Sequence, residues 1–179
     1  MRPSQRNQIL NAAIRVAERD GITGLTLESA AEEAGVTKGG LMYHFRTRHE
    51  LLLAIQKQLT DAWETWLAAE LGKPPAEASV REVVAAYVRV GADSQSGKAD
   101  LAFMLESASV PDLATVWNEL IRRWAPLPTS AEPHDIDLLL ARLAVDGLWL
   151  QQAMSGTPLP TPVAKALRNR LNALIEPEN

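Results

Sequence analysis

The chain has 179 residues, 46% of them apolar and 22% charged, a balance that suits one large or two small globular domains and excludes wholesale disorder. It contains no cysteine, which excludes a disulfide framework and any thiolate-bound metal. The formal net charge is −4, but residues 1–50 hold seven Lys and Arg against six Asp and Glu, whereas residues 51–179 hold eleven against sixteen, so only the N-terminal part suits a polyanionic partner.

Helical periodicity dominates, and strand signals are nearly absent. Met1 to Arg6 lacks the apolar stretch of a signal peptide. From Ser4 to about Asp20, Leu10, Ala13, Ile14 and Ala17 form one helical stripe, which Gly21 and Gly24 end in a turn. Thr26 is placed to cap a second helix over 27–34, with Glu28 favourable in its first turn. Gly35 and Val36 interrupt the chain, and Thr37 caps a short third helix over 38–44. Thr47, with Glu50 three residues on, reads as a capping box for a long fourth helix over 48–71. Gly72-Lys73-Pro74-Pro75 stops it. Ser79 with Glu82 is another capping box, opening a helix to about Ala92, and the polar stretch Asp93 to Gly97 reads as a loop. Helices follow near 99–107 and 112–124, then a Pro/Ser/Thr loop from Pro126 to Pro133. The last two helices cover 135–154 and about 162–175, parted by Gly156-Thr157-Pro158. The longest apolar candidate, Ile136 to Met154, is broken by Asp137, Arg142, Asp146, Gln151 and Gln152, far from the roughly 20 apolar residues of a membrane helix. A soluble, cytoplasmic, all-α protein with no membrane association is expected.

The second and third helices, joined by a glycine turn, have the outline of a helix-turn-helix. The turn needs a residue that tolerates positive φ, and Gly35 supplies it. Ala30, Ala31 and Ala34 are small enough for closely crossing helices, and Val36 can plug the angle between them. Leu41 and Phe45, four apart, give the third helix an inner face. The outer face then carries Lys38, Tyr43 and His44, on a helix short enough for a major groove. Gly39 and Gly40 each lower helix propensity by roughly 1 kcal/mol, which makes sense where backbone must approach a partner closely.

The run Gly24-Leu25-Thr26-Leu27, then Ala30-Ala31-Glu32-Glu33-Ala34-Gly35-Val36-Thr37-Lys38-Gly39-Gly40-Leu41-Met42-Tyr43-His44-Phe45 and on to Leu52, resembles the DNA-binding domain of the TetR family of bacterial repressors. The likeness covers about residues 4–55; the remainder matches only in length and helical architecture. The resemblance implies a helix-turn-helix domain over 1–47 and a helical effector-binding and dimerisation domain over 48–179. It implies that Thr26 holds a phosphate through hydroxyl and backbone N–H, that Thr37, Lys38 and Gly39 open the recognition helix, that Tyr43 and His44 touch phosphate, sugar or thymine methyl, and that Arg48 binds phosphate. Arg46 stands where the family often has Pro and adds a further phosphate contact. Met42 stands where Tyr is frequent, and His49 where an acidic residue is frequent, so operator sequence does not transfer from relatives.

Beyond residue 55 the large side chains Trp66, Tyr87, Phe103, Met104, Trp117 and Trp149 are the candidates for lining an effector pocket between helices, although each also suits an ordinary core. The helix over 135–154 is apolar on two faces. Ile136, Leu139, Leu140, Leu143, Gly147 and Leu150 make one stripe; Leu138, Val145, Leu148, Trp149 and Met154 add a second. One face can pack at home; the second is left for a partner subunit, as the resemblance implies for the last two helices, or for other helices of the same chain. Leu138, Val145, Leu148 and Trp149, with Leu167 and Leu171 of the last helix, are the expected homodimer surface, and Gly147 would admit a close helix. A dimer reads two half-sites of pseudo-palindromic operator DNA.

The three histidines, His44, His49 and His134, form no Glu-x-x-His pair, and there is neither a phosphate-binding glycine loop nor a nucleophile elbow, so an enzyme is not expected and no cofactor is called for. The expected function is a ligand-released repressor with an unknown small-molecule effector. The alternative is an effector-independent regulator controlled by a protein partner or by abundance.

Overall fold

The computed structural model describes residues 4–93 and 98–176. Among these residues there are nine α-helices and no strand: α1 Gln5–Gly24, α2 Leu27–Ala34, α3 Lys38–His44, α4 Arg48–Leu71, α5 Val80–Asp93, α6 Lys98–Ser109, α7 Pro111–Trp124, α8 Pro133–Ser155 and α9 Thr161–Ile175. A 3-10 turn at Pro75–Glu77, not expected from the sequence, follows α4. The expected loop Asp93 to Gly97 lies outside the described residues except for Asp93, which ends α5.

Local chemistry sets the helix ends. Ser4 Oγ accepts from Asn7 N–H and starts α1. Gly21, at φ 75° and ψ 173°, breaks the helical path before the chain reaches Gly24. Thr26 and Ser29 cap α2 reciprocally: Ser29 N–H donates to Thr26 Oγ1 at 3.0 Å, and Thr26 N–H donates to Ser29 Oγ at 2.9 Å. Gly35, at φ 66°, closes α2; its N–H donates to Glu32 O and Val36 N–H donates to Ala31 O, the paired bonds of a Schellman end. Thr37 Oγ1 accepts from Gly40 N–H at 3.0 Å and starts α3. Thr47 Oγ1 accepts from Glu50 N–H, but the Glu50 carboxylate reaches one residue further back, to Arg46 N–H. Ser79 and Glu82 form the expected box before α5. Helix α8 begins earlier than expected because Pro133 fits the first helical position, where an N–H has no partner to lose.

The described residues divide into two compact units. The first comprises those up to Asp61 and from Lys98 to Trp117; the second comprises Ala62–Asp93 and Asn118–Glu176. The first unit reaches well beyond residues 1–47. Its helices α1, α2 and α3 pack in sequence, and α6 packs on α1. Ile9, Leu10, Val16, Leu25, Ala30, Leu41, Phe45, Leu51, Ile55, Phe103 and Leu113 form its core. In the second unit α5 packs on α8 and α9, which also pack on each other. Here Gly91 is the close-approach glycine: a Cβ on it would stand 2.2 Å from Val145 Cγ1. Gly147, expected to play that part, meets nothing within 4 Å.

Candidate nucleic-acid interface and sensing residues

Gly35 turns the chain so that α3 offers one face inward and the other outward. Leu41 and Phe45 are buried, while Lys38, Gly39, Met42 and Tyr43 are exposed, Tyr43 at 86%. The His44 ring stands edge-on to Tyr43 at 5.1 Å, and its Nε2 lies 3.4 Å from Gln5 Oε1. Thr26 and Thr37, both exposed, lead the two helices. Each hydroxyl accepts a backbone N–H of its own helix, and the Thr26 N–H is taken by Ser29 Oγ. Gly39 has no internal reason to be glycine: a Cβ there meets nothing within 4 Å, whereas one on Gly40 comes to 3.2 Å from Thr37 Oγ1. The Arg46 side chain is exposed. An exposed helix face that carries hydrogen-bond donors is what major-groove reading requires.

Arg48 has partners within the chain: Nε donates to Leu25 O at 2.7 Å, Nη2 donates to Ile22 O at 2.6 Å, and Nη1 pairs with Glu106 of α6 at 3.6 Å. The break at Gly21 leaves carbonyls of the α1–α2 turn without helical donors, and a charged fork supplies them. Glu28, which the sequence marked only as favourable for the helix dipole, carries an ion pair with Lys38 on the outer face. An acidic residue ten positions before a lysine gave no signal that α2 and α3 would bring them together.

In the second unit Tyr87 OH donates to Asp146 Oδ1 at 2.7 Å, and Arg142 Nε lies 3.6 Å from Asp146 Oδ2, an ion pair too long for a hydrogen bond. Trp63 stacks on Tyr87 at 6.3 Å and meets Trp66 edge-on at 5.9 Å. Burial, then the Asp146 charge, pushes the Tyr87 hydroxyl far above its ordinary value; burial also raises the Asp146 carboxyl, against the hydrogen bond from Tyr87. Arg142 Nε and Nη1 are buried atoms with no hydrogen-bond partner. Of the expected pocket residues, Trp66 is half exposed, Tyr87 and Trp149 are buried, and Met104 and Trp117 are partly buried. Phe103 is corrected: at 1% exposure it fills the core of the first unit. A groove of about 410 Å³ lies elsewhere in the second unit, lined by Ala92, Leu148, Gln152, Leu159, Leu167 and Arg168 among others, and none of the six expected residues lines it.

The expected partner-facing surface is also corrected. Leu138, Val145, Trp149 and Leu171 are buried within the single chain, and Leu148 and Leu167 are partly covered at the groove. Val145 seats against α5 because the position opposite it is Gly91. The outward stripe of α8 is the first one, with Ile136 at 39%, Leu140 at 52%, Leu143 at 54% and Leu150 at 41% around exposed Gly147; Met154, expected on the second stripe, joins it at 70%.

A sequence profile described as "Bacterial regulatory proteins, tetR family" matches residues 9–55, and one described as "Tetracyclin repressor-like, C-terminal domain" matches residues 81–176, more than half of the chain. The chain belongs to the TetR family. It is a DNA-binding transcriptional regulator and not an enzyme. The HTH-type transcriptional regulator BetI of Cronobacter sakazakii is 30% identical, over 93% of this chain and 88% of that one. The multidrug binding protein EbrR, solved in complex with ethidium, is 27% identical with a TM-score of 0.63, over 96% of this chain and 99% of that one. A TetR-family regulator from Rhodococcus sp. shares the fold at a TM-score of 0.70 and 20% identity, over 97% and 100% of the two chains. Among the described residues of this TetR-family chain, no helix is long and apolar enough to cross a membrane.

Proposed function

We propose that this TetR-family chain is a repressor that binds a pseudo-palindromic operator as a homodimer and is released by a small-molecule effector. The observation that carries the DNA reading is the outward face of α3, where Lys38, Tyr43 and His44 project beside a glycine, Gly39, that nothing inside the protein demands. Thr26, Thr37 and Arg46 supply phosphate contacts around it.

Dimerisation is supported by the exposed stripe of α8. Isolated exposed leucines are ordinary, but Ile136, Leu140, Leu143, Leu150 and Met154 recur at helical spacing on one side, and Val163 of α9 is half exposed too. A two-fold partner laid on that stripe covers the same surface on both subunits. One short α3 buries too little surface for operator specificity, and two of them supply what one lacks.

Effector sensing is supported by the second unit's polar cluster. Tyr87, bonded to Asp146, stacks on Trp63, which meets Trp66, and two buried nitrogens of Arg142 make no hydrogen bond, although Nε faces Asp146 Oδ2 at 3.6 Å. Polar groups left open among aromatic side chains suit a small molecule with both aromatic and polar parts. Helices α4 and α7 each contribute to both units, so they offer continuous backbone between sensing and reading.

The test is selection of duplexes by the chain from a randomised pool, followed by titration of a panel of aromatic compounds, those bearing carboxylate or carbonyl acceptors as well as cations such as ethidium. The expected result is a pseudo-palindromic consensus, and a compound that weakens operator binding by the same factor by which operator weakens compound binding. Equal compound affinities with and without operator, across every compound that binds, reject ligand release. Leu140→Glu with Leu143→Glu is expected to yield a folded monomer by sedimentation that no longer holds the operator. A dimer that survives both charges places the interface elsewhere.

A further inference from the structure

Glu28 and Lys38 meet on the face assigned to DNA. Lys38 Nζ donates to Glu28 Oε1 at 2.5 Å, and both side chains are more than half exposed. The same carboxylate stands in the first turn of α2, two residues after the capping Thr26. An ammonium, a helix N-terminal N–H and a threonine hydroxyl are together the donor set that holds a DNA phosphate. In the DNA-free protein a carboxylate of the chain itself has taken the ammonium. The Lys38 hydrogen bond, followed by the bond from its own N–H, holds the Glu28 carboxyl below the ordinary range, so it stays charged at neutral pH.

We propose that Glu28 is a specificity-determining residue, whose carboxylate stands in for phosphate on Lys38 and so suppresses binding to DNA of arbitrary sequence. Phosphate contacts carry no sequence information and supply nearly all non-specific affinity. Any duplex must therefore displace Glu28 before it gains Lys38. A duplex that offers base contacts to α3 offsets that displacement, and a random one does not. The exposed position of the pair matters: the bond is open to competition, so it discriminates between duplexes without blocking all of them. The inference rests on Lys38 being a DNA contact.

The experiment uses the full chain as wild type, Glu28→Gln, Lys38→Met and the double variant. Each is titrated with a random-sequence duplex and with the duplex that wild type selects, between about 50 and 200 mM salt. Glu28→Gln is expected to bind random duplex about tenfold tighter near 0.1 M salt, with a log–log salt slope steeper by about 0.9, the value of one further phosphate contact. Its preference for the selected duplex falls accordingly, and the gain disappears in the Lys38→Met background. An unchanged random-duplex affinity and slope, or a gain that persists without Lys38, overturns the proposal. If wild type binds no duplex at all, the reading of α3 fails instead. Should Glu28→Gln disturb folding by circular dichroism, Glu28→Ala is read by the same criteria.

Discussion

Arg48 fastens the α1–α2 turn to α6: one guanidinium serves the carbonyls of Leu25 and Ile22 and lies 3.6 Å from the carboxylate of Glu106. Sequence position had assigned this arginine to DNA. Arg48→Ala is expected to lower unfolding stability by about 1.5 kcal/mol, the low end for charged hydrogen bonds because the side chain is 38% exposed. Urea denaturation of the variant measures this. Lost operator affinity with unchanged stability returns Arg48 to the DNA surface.

Gly39 separates stability from function. With open space around its Cβ position, Gly39→Ala is expected to stabilise the protein by up to about 1 kcal/mol, since alanine favours α3. The added methyl stands where duplex backbone or base edges approach, so operator affinity falls about tenfold or more, equivalent to about 1.4 kcal/mol. Thermal melting and operator titration on one preparation check both halves. Improved or unaltered DNA binding shows that the position faces solvent even in the complex.

Gly91 predicts an overpacking effect with a specific rescue. Gly91→Ala drives a methyl to 2.2 Å from Val145 Cγ1 and is expected to destabilise by about 1–3 kcal/mol. Adding Val145→Ala removes the opposing methyl groups, so the double variant is expected to be less destabilised than the two single effects summed. Additive losses in a denaturation cycle contradict the contact.

Asp146 gives a pH signature. Burial holds its carboxyl above 3.8, so the native state binds this proton more tightly than the unfolded chain. Its contribution is full below 3.8 and is lost as pH rises through the raised value. Asp146→Asn keeps an acceptor for Tyr87 and removes the ionisation. The stability of the variant relative to wild type is therefore expected to increase with pH from about 3.8 upward and then level off. A difference that does not vary with pH shows that the carboxyl titrates alike in both states.

What the sequence made legible was local. Thr26, Gly35, Thr37 and Ser79 act within a few residues of themselves, and their caps and turns follow from side-chain reach and positive φ. What it hid was pairing across distance. Both stripes of α8 are apolar, and the glycine that admits Val145 of the inner one, Gly91, lies on another helix. Lys38 was legible as an exposed cation, but its partner lies in the preceding helix. Phe103 looked like any aromatic of a helical bundle; the packing of α6 on α1 decides that it belongs with Leu41 and Phe45.

The membership of α6 and the start of α7 in the first unit has a consequence for how the protein is made. Phe103 and Leu113, both almost wholly covered, complete a core whose other members precede Gln56. During synthesis, the reading head must wait until Leu113, nearly two thirds of the way along the chain, has left the ribosome before its interior is sealed. An excised fragment ending at Asp61 inherits two unfilled sites and bare alanine and leucine surface, so chimaeras that swap operator preference need to carry residues 98–117 along with the N-terminal helices.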